Sequence, residues 1–231
     1  MTMRALTRIL PLAALLLGSP ALGADISPRG FEIGVRTGYA FAAGDTGATD
    51  TLPDRAVGDY VSGVWPLWID AGYRLSRQLY LGGYFQYGFG FVNEDRQDLC
   101  RTADVDCSAS DTRLGLMFRY HFAPAWPLSP WAAYGFGYEW GGFSLRQSII
   151  GSTSTDYDWS GFELMNLQVG ADYALPHGLV IAPFLSFSLG QFRSLSTTTK
   201  AGNTTTTTEE DIEGHSLHEW ILIGVRFAFR P

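Results

Sequence analysis

The chain has 231 residues, room for one sizeable domain or two small ones, and carries 16 Lys+Arg against 23 Asp+Glu. That acidic balance, with Lys200 as the single lysine, argues against a nucleic-acid partner.

The first segment reads as a leader. MTMRALTR supplies Arg4 and Arg8, ILPLAALLLGSPAL an apolar run interrupted by Pro11 and Pro20, and Ala21-Leu22-Gly23 the small residues a signal peptidase inspects. A secretory signal peptide over 1–23 is expected, leaving residues 24–231 as one domain. A membrane anchor competes, but the run is short for a bilayer span. Removing Arg4 and Arg8 takes the 16 basic residues to 14 against 23 acidic ones, a net charge of −9.

From residue 31 onward no apolar stripe holds helical spacing for three turns; strict alternation recurs instead. In FEIGVRTGYAF, Phe31, Ile33, Val35, Tyr39 and Phe41 oppose Glu32, Gly34, Arg36, Gly38 and Ala40. In LGGYFQYGFGFV, Leu81, Phe85, Tyr87, Phe89 and Phe91 share one face. Gly82, Tyr84, Gln86, Gly88 and Gly90 share the other. Eight such segments are expected, near 31–42, 60–75, 78–92, 111–122, 130–144, 160–175, 178–193 and 214–230. Each is long enough to cross a bilayer as a tilted strand of about ten residues.

Connections after the first, third, fifth and seventh segments are long and polar, and those after the second, fourth and sixth are short. That pattern predicts an all-β, closed, eight-stranded antiparallel up-and-down transmembrane barrel, whose closure pairs every backbone amide. A soluble two-sheet sandwich would have shorter strands and a polar outer face. Pro66 and Pro183 fall inside strands, where bulges or local ladder breaks are expected.

The alternation and the C-terminal strand WILIGVRFAFRP resemble the eight-stranded bacterial outer-membrane β-barrels, the OmpA/OmpX-like and OmpW-like superfamily. The likeness covers residues 29–231 as a pattern. It implies a Gram-negative cell-envelope location, lipid and lipopolysaccharide as surroundings, and insertion by the barrel-assembly machinery, with a monomer expected. Such proteins usually end on an aromatic residue, whereas here Phe229 is followed by Arg230 and Pro231. No periplasmic domain is expected after the barrel.

Eight strands enclose a lumen that side chains can fill. Parity turns Glu32, Arg36, Asp70, Arg74, Arg113, Arg119, Glu139, Asp172 and Arg226 inward, with Gln86, His121, Asn166 and Gln168. Buried charges need partners, and arginine's planar fork suits bidentate pairing with carboxylates. A salt-bridged plug is the leading expectation, and a polar conduit or gate the alternative. Trp65, Tyr73, Phe91, Tyr120, Phe122, Trp140, Phe227 and Phe229 stand at strand ends, as interfacial aromatic girdles do.

Cys100 and Cys107 lie in the polar segment NEDRQDLCRTADVDCSASD, and in an exported chain they read as a disulfide closing the tip of the second long loop. The acidic residues around them (Glu94, Asp95, Asp98, Asp104, Asp106) have no metal-ligand spacing and read as solvated surface; no metal or cofactor is expected. The Thr-rich stretch after the seventh strand reads as a solvated low-complexity loop.

GHSLHEW is the one candidate for chemistry, because the resemblance includes barrels that are lipid A deacylases. That family places His two residues before Ser on the lipid face. Here Ser216 precedes His218, both by parity inward, with Glu219 opposite and His215 at the loop. No catalytic residue is assigned. The expected function is a non-enzymatic structural and surface-interaction barrel whose loops meet external ligands. A narrow porin or OmpW-like channel for small molecules is the alternative, and a lipid A-modifying enzyme a remote one.

Overall fold

A computed structural model describes residues 29–50, 53, 55–93, 98–102, 104–147, 153–212 and 216–231. The expected leader at 1–23 therefore lies outside the described residues, as does His215.

Nine strands follow one another: β1 (Gly30–Gly44), β2 (Val61–Arg74), β3 (Leu79–Val92), β4 (Val105–His121), β5 (Leu128–Gln147), β6 (Thr153–Ala174), β7 (Leu179–Ala201), β8 (Thr204–Asp211) and β9 (Leu217–Phe229). Eight of them form a closed antiparallel ring. β1 to β7 pair consecutively, and β9 closes the circle between β7 and β1. The seam runs from Ile33 opposite Phe229 to Gly44 opposite His218. Every ring strand thus has a neighbour on both sides, leaving no sheet edge within it.

The ninth strand departs from expectation. The Thr-rich segment is an exposed β-hairpin in which Ser194–Ala201 of β7 pairs with β8. Threonine is β-branched and fits a pleated strand, and Asn203 with Gly202 at positive φ turns the chain. β5, β6 and β7 likewise run 20, 22 and 23 residues against 14 for β2 and β3. One wall therefore rises well past the other at the long-loop end.

The prolines break ladders without making bulges. Beside Pro66 the β1–β2 pairing skips from Thr37–Leu67 to Ala40–Val64, and beside Pro183 the β6–β7 pairing skips from Gly170–Phe184 to Tyr173–Ile181; register is kept in both. The shifts lie elsewhere, at Val61/Gly63, Gly135/Gly137, Ser160/Gly161 and Glu163/Met165.

Alternation sorts side chains as parity requires. Phe31, Ile33, Val35, Leu81, Phe85, Ile223 and Phe227 stand exposed on the outer wall, while Glu32, Arg36, Tyr80, Tyr84 and Arg226 are buried inside. So large an apolar exterior is stable only against lipid or another apolar cover. All eight girdle positions are exposed. Trp65 stacks on Phe89 and Trp140 packs on Tyr138 towards the long-loop end; Tyr73 meets Phe31 and Tyr120 meets Phe122 near the short turns.

A single helical turn, α1 (Val57–Tyr60), sits in the long connection before β2. Val57 is buried, and the Tyr60 ring meets Phe143 at 5.3 Å and Trp159 at 5.0 Å. Burial raises the Tyr60 phenol above its usual pKa. The Cys100–Cys107 disulfide, Cα atoms 5.7 Å apart, ties a short 3-10 turn (Asp98–Arg101) to the start of β4, so it braces the entry to that strand rather than a free loop tip.

Candidate functional site: the charged lumen

All nine inward charges expected from parity are buried, and the structure sorts them into two clusters stacked along the barrel axis. Near the short turns, β1 contributes Glu32 and Arg36, β2 Asp70 and Arg74, β4 Arg119, β6 Asp172 and β9 Arg226. Asp70 is a hub: Arg36 Nε lies 2.8 Å from it, Arg226 Nη2 3.1 Å, Arg119 Nη2 3.5 Å, and the Tyr80 hydroxyl donates at 3.3 Å. Glu32 is a second hub, receiving Arg119 Nη1 at 2.6 Å and Arg226 Nη2 at 2.5 Å, with Arg74 Nη1 at 3.7 Å.

Arg113 belongs to the other cluster, nearer the long loops. Its guanidinium meets Asp111 at 3.1 Å, Glu139 at 3.2 Å and Glu163 at 3.2 Å, and donates to Ser188 Oγ at 2.7 Å. Gln86 donates to Asp111 at 2.7 Å, Asn166 to Glu163 at 2.7 Å, and the Tyr84 hydroxyl also donates to Glu163. Trp68, Met117 and Phe184 fill the layer between, where Arg36 reaches across to Gln168. Arg36 lies over the Trp68 ring at 4.7 Å and Arg119 over Tyr80 at 4.5 Å, so rings cover guanidinium faces that carboxylates do not.

Three participating charges escape sequence reading. Glu163 falls on the wrong parity for β6, but the irregularity between Glu163 and Met165 inserts one residue and turns it inward. Asp111 has the parity of Arg113 and Arg119, yet stands where the strand was expected to begin; β4 in fact starts at Val105. Arg230 lies past β9, but its side chain folds under the barrel to Glu32 at 2.5 Å and to Asp172. Among the described residues the lumen thus buries six arginines and six carboxylates.

Glycine makes the crowding possible. A Cβ on Gly34 would stand 2.8 Å from both Arg226 Nη2 and Asp70 Oδ1.

Among the described residues of GHSLHEW, Ser216 and His218 do not meet as a catalytic pair. The Ser216 hydroxyl donates to the Phe192 carbonyl at 3.4 Å. The His218 ring stacks on Phe192, centroids 4.0 Å apart, with Nε2 3.1 Å from Glu139. Glu219 pairs on the outward side of the ladder, opposite Leu189 and Ala43. His121 joins the short-turn cluster through Asp172 at 3.0 Å, and His177 occupies the β6–β7 turn at φ 62°.

No protein-family model matches the sequence, and no curated protein is similar to it in sequence. Solved structures are similar in fold. A major outer membrane protein from Thermus thermophilus superposes with a TM-score of 0.56 at 13% identity, over 87% of this chain and 98% of that one. The outer membrane protein AlkL, determined in lipid bilayers, gives 0.49 at 15% identity over 93% and 96%. Neisserial surface protein A gives 0.45 at 13% over 87% and 97%. The chain has the fold of outer-membrane β-barrel proteins.

Proposed function

We propose that the protein is an exported, monomeric outer-membrane barrel whose lumen is closed, and that it serves the cell surface through its long-loop end rather than as a pore or enzyme. The observation that carries this reading is the packed interior: twelve charged side chains and the rings of Trp68, Trp131 and Tyr80 occupy the space a channel would need, nearly all without solvent exposure. An ion entering would have to displace charge pairs whose separation costs several kcal/mol each. The continuous apolar outer wall supports a place in lipid, with the extended β5–β8 wall projecting into the medium. The separation of Ser216 from His218 supports a non-enzymatic role, and lipid A should be unmodified by the protein.

Planar-bilayer conductance of the refolded barrel tests this. Wild type should pass little or no steady current. Arg119→Ala, which strips Glu32 of one partner and opens space beside Trp131, should raise conductance or lower thermal stability. Large, stable wild-type channels would overturn the closed-lumen reading and favour a pore.

A further inference from the structure

The raised wall at the long-loop end has two flanks, and they are finished differently. On the β4 flank, past the last β3–β4 pair at Gly90–Ala109, the disulfide holds the Asp98–Arg101 turn against Cys107. The Val105 amide there is spent on the Thr102 carbonyl at 3.0 Å. On the other flank stands β8. It pairs with β7 without a register shift, from Ala201–Thr204 to Ser194–Asp211, and among the described residues no strand pairs with its far side.

An open edge presents a row of unpaired N–H and C=O groups, and proteins blunt such edges with proline, lysine, a bulge or a covering segment. β8 carries no proline, lysine or bulge. Thr204–Thr208 is uncharged, β-branched and exposed at every residue, so it holds a pleated conformation that a further strand can extend. Charge appears only at the base of the hairpin, in Glu209, Glu210 and Asp211.

The composition of the edge selects the strand that fits it. A run of threonines is its own complement when paired antiparallel. About Thr206, Thr204 faces Thr208 of a second copy and Thr205 faces Thr207. The same arrangement carries each acidic triplet past the other strand's Gly202–Asn203 turn, towards Lys200, the one lysine of the chain. Parallel pairing would set the two triplets side by side, and like charges opposite one another destabilise a sheet. The symmetry also fixes how the barrels stand. The two-fold of such an antiparallel pair runs at right angles to the sheet. Because the sheet here continues the barrel wall, that axis lies in the plane of the membrane and turns one barrel upside down relative to the other.

We propose that β8 pairs antiparallel with β8 of a second copy held in a facing membrane, so that the protein joins two membrane surfaces through its raised edges. This rests on the cell-surface role proposed above, and each barrel remains a monomer within its own membrane.

The test is the turbidity of phosphatidylcholine vesicles carrying the full barrel, with outward-facing hairpins verified by cleavage at Lys200 with a lysine-specific protease. Wild-type vesicles should clump. Thr206→Lys and Thr206→Glu each set a charge against its own copy at the two-fold, so either population alone should stay dispersed. Mixed together the two should clump again, because the two-fold then joins opposite charges. Dispersed wild-type vesicles would overturn the proposal, as would clumping of Thr206→Lys vesicles alone or a mixture that stays dispersed. Planar-bilayer conductance reads the lumen and not β8, so dispersed vesicles of a non-conducting barrel would end this inference and leave the closed-lumen reading standing.

Discussion

Arg226 Nη2 lies 2.5 Å from Glu32 Oε1 across a sequence separation of 194 residues. One residue comes from the first strand and the other from the last, so this ion pair sits beneath the seam where the barrel closes. Glu32 also holds Arg119 and Arg230. Replacing it with alanine leaves three guanidiniums short of an acceptor, and breaking a buried pair in this way costs about 3–5 kcal/mol. Glu32→Ala should lower the midpoint of urea unfolding sharply, while Glu32→Gln, which keeps the oxygen and loses the charge, should cost less. Equal midpoints for wild type and Glu32→Ala would show that the seam does not depend on this hub.

The disulfide should act locally. On the chain-entropy account, a crosslink with a sequence separation of 7 stabilises by about 2–3 kcal/mol, and here that stabilisation falls on the entry to β4. Reduction should therefore speed proteolytic cleavage between residues 93 and 105 while leaving the heat-modifiable gel migration of the barrel intact. Collapse of that migration on reduction would mean that the bond supports the ring itself.

Much of this arrangement was legible in sequence because a barrel strand has a period of two and only two environments. Once Phe31, Ile33 and Val35 are placed against lipid, Glu32 and Arg36 have nowhere to point but inward. The same rule missed Glu163, since one inserted residue before Met165 reverses parity, and missed Arg230, which follows the last strand and folds back. Partner choice was beyond it altogether. Whether Arg119 meets Glu32 or Asp172 depends on strand tilt and stagger around the ring, which alternation along one strand does not encode. The Thr-rich hairpin was misread for a different reason: low complexity resembles a solvated loop, yet a run of β-branched residues beside the long β7 has a strand to pair with.

β8 lies outside the ring, while the β7 arm that carries it still pairs with β6, from Asp156–Thr198 to Thr153–Ala201, which makes removal of the hairpin informative. Thr197 faces Thr208 across the pair, so replacing residues 198–207 with Asn-Gly should close the shortened hairpin by a two-residue turn. The deletion takes away β8 and the last four β6–β7 pairs, Asp156–Thr198 to Thr153–Ala201, but leaves the pairing from Tyr157–Thr197 inward and all of β7–β9 to complete the circle, so the variant should still fold, with a modest drop in thermal stability. Failure to fold would show that the raised wall nucleates the barrel.

Tyr60 gives a prediction at alkaline pH. Burial raises its phenol pKa in the folded state, so the folded protein holds that proton more tightly than the unfolded chain does. The associated stability is fully present below the unfolded tyrosine pKa of about 10 and is lost as pH rises through the higher folded value. Tyr60→Phe keeps the ring against Phe143 and Trp159 but has no proton to lose. The variant should therefore lose less thermal stability than wild type between pH 9 and pH 11, with the two similar at pH 8. Parallel losses across that range would mean that the phenol titrates freely and that α1 does not bury it in solution.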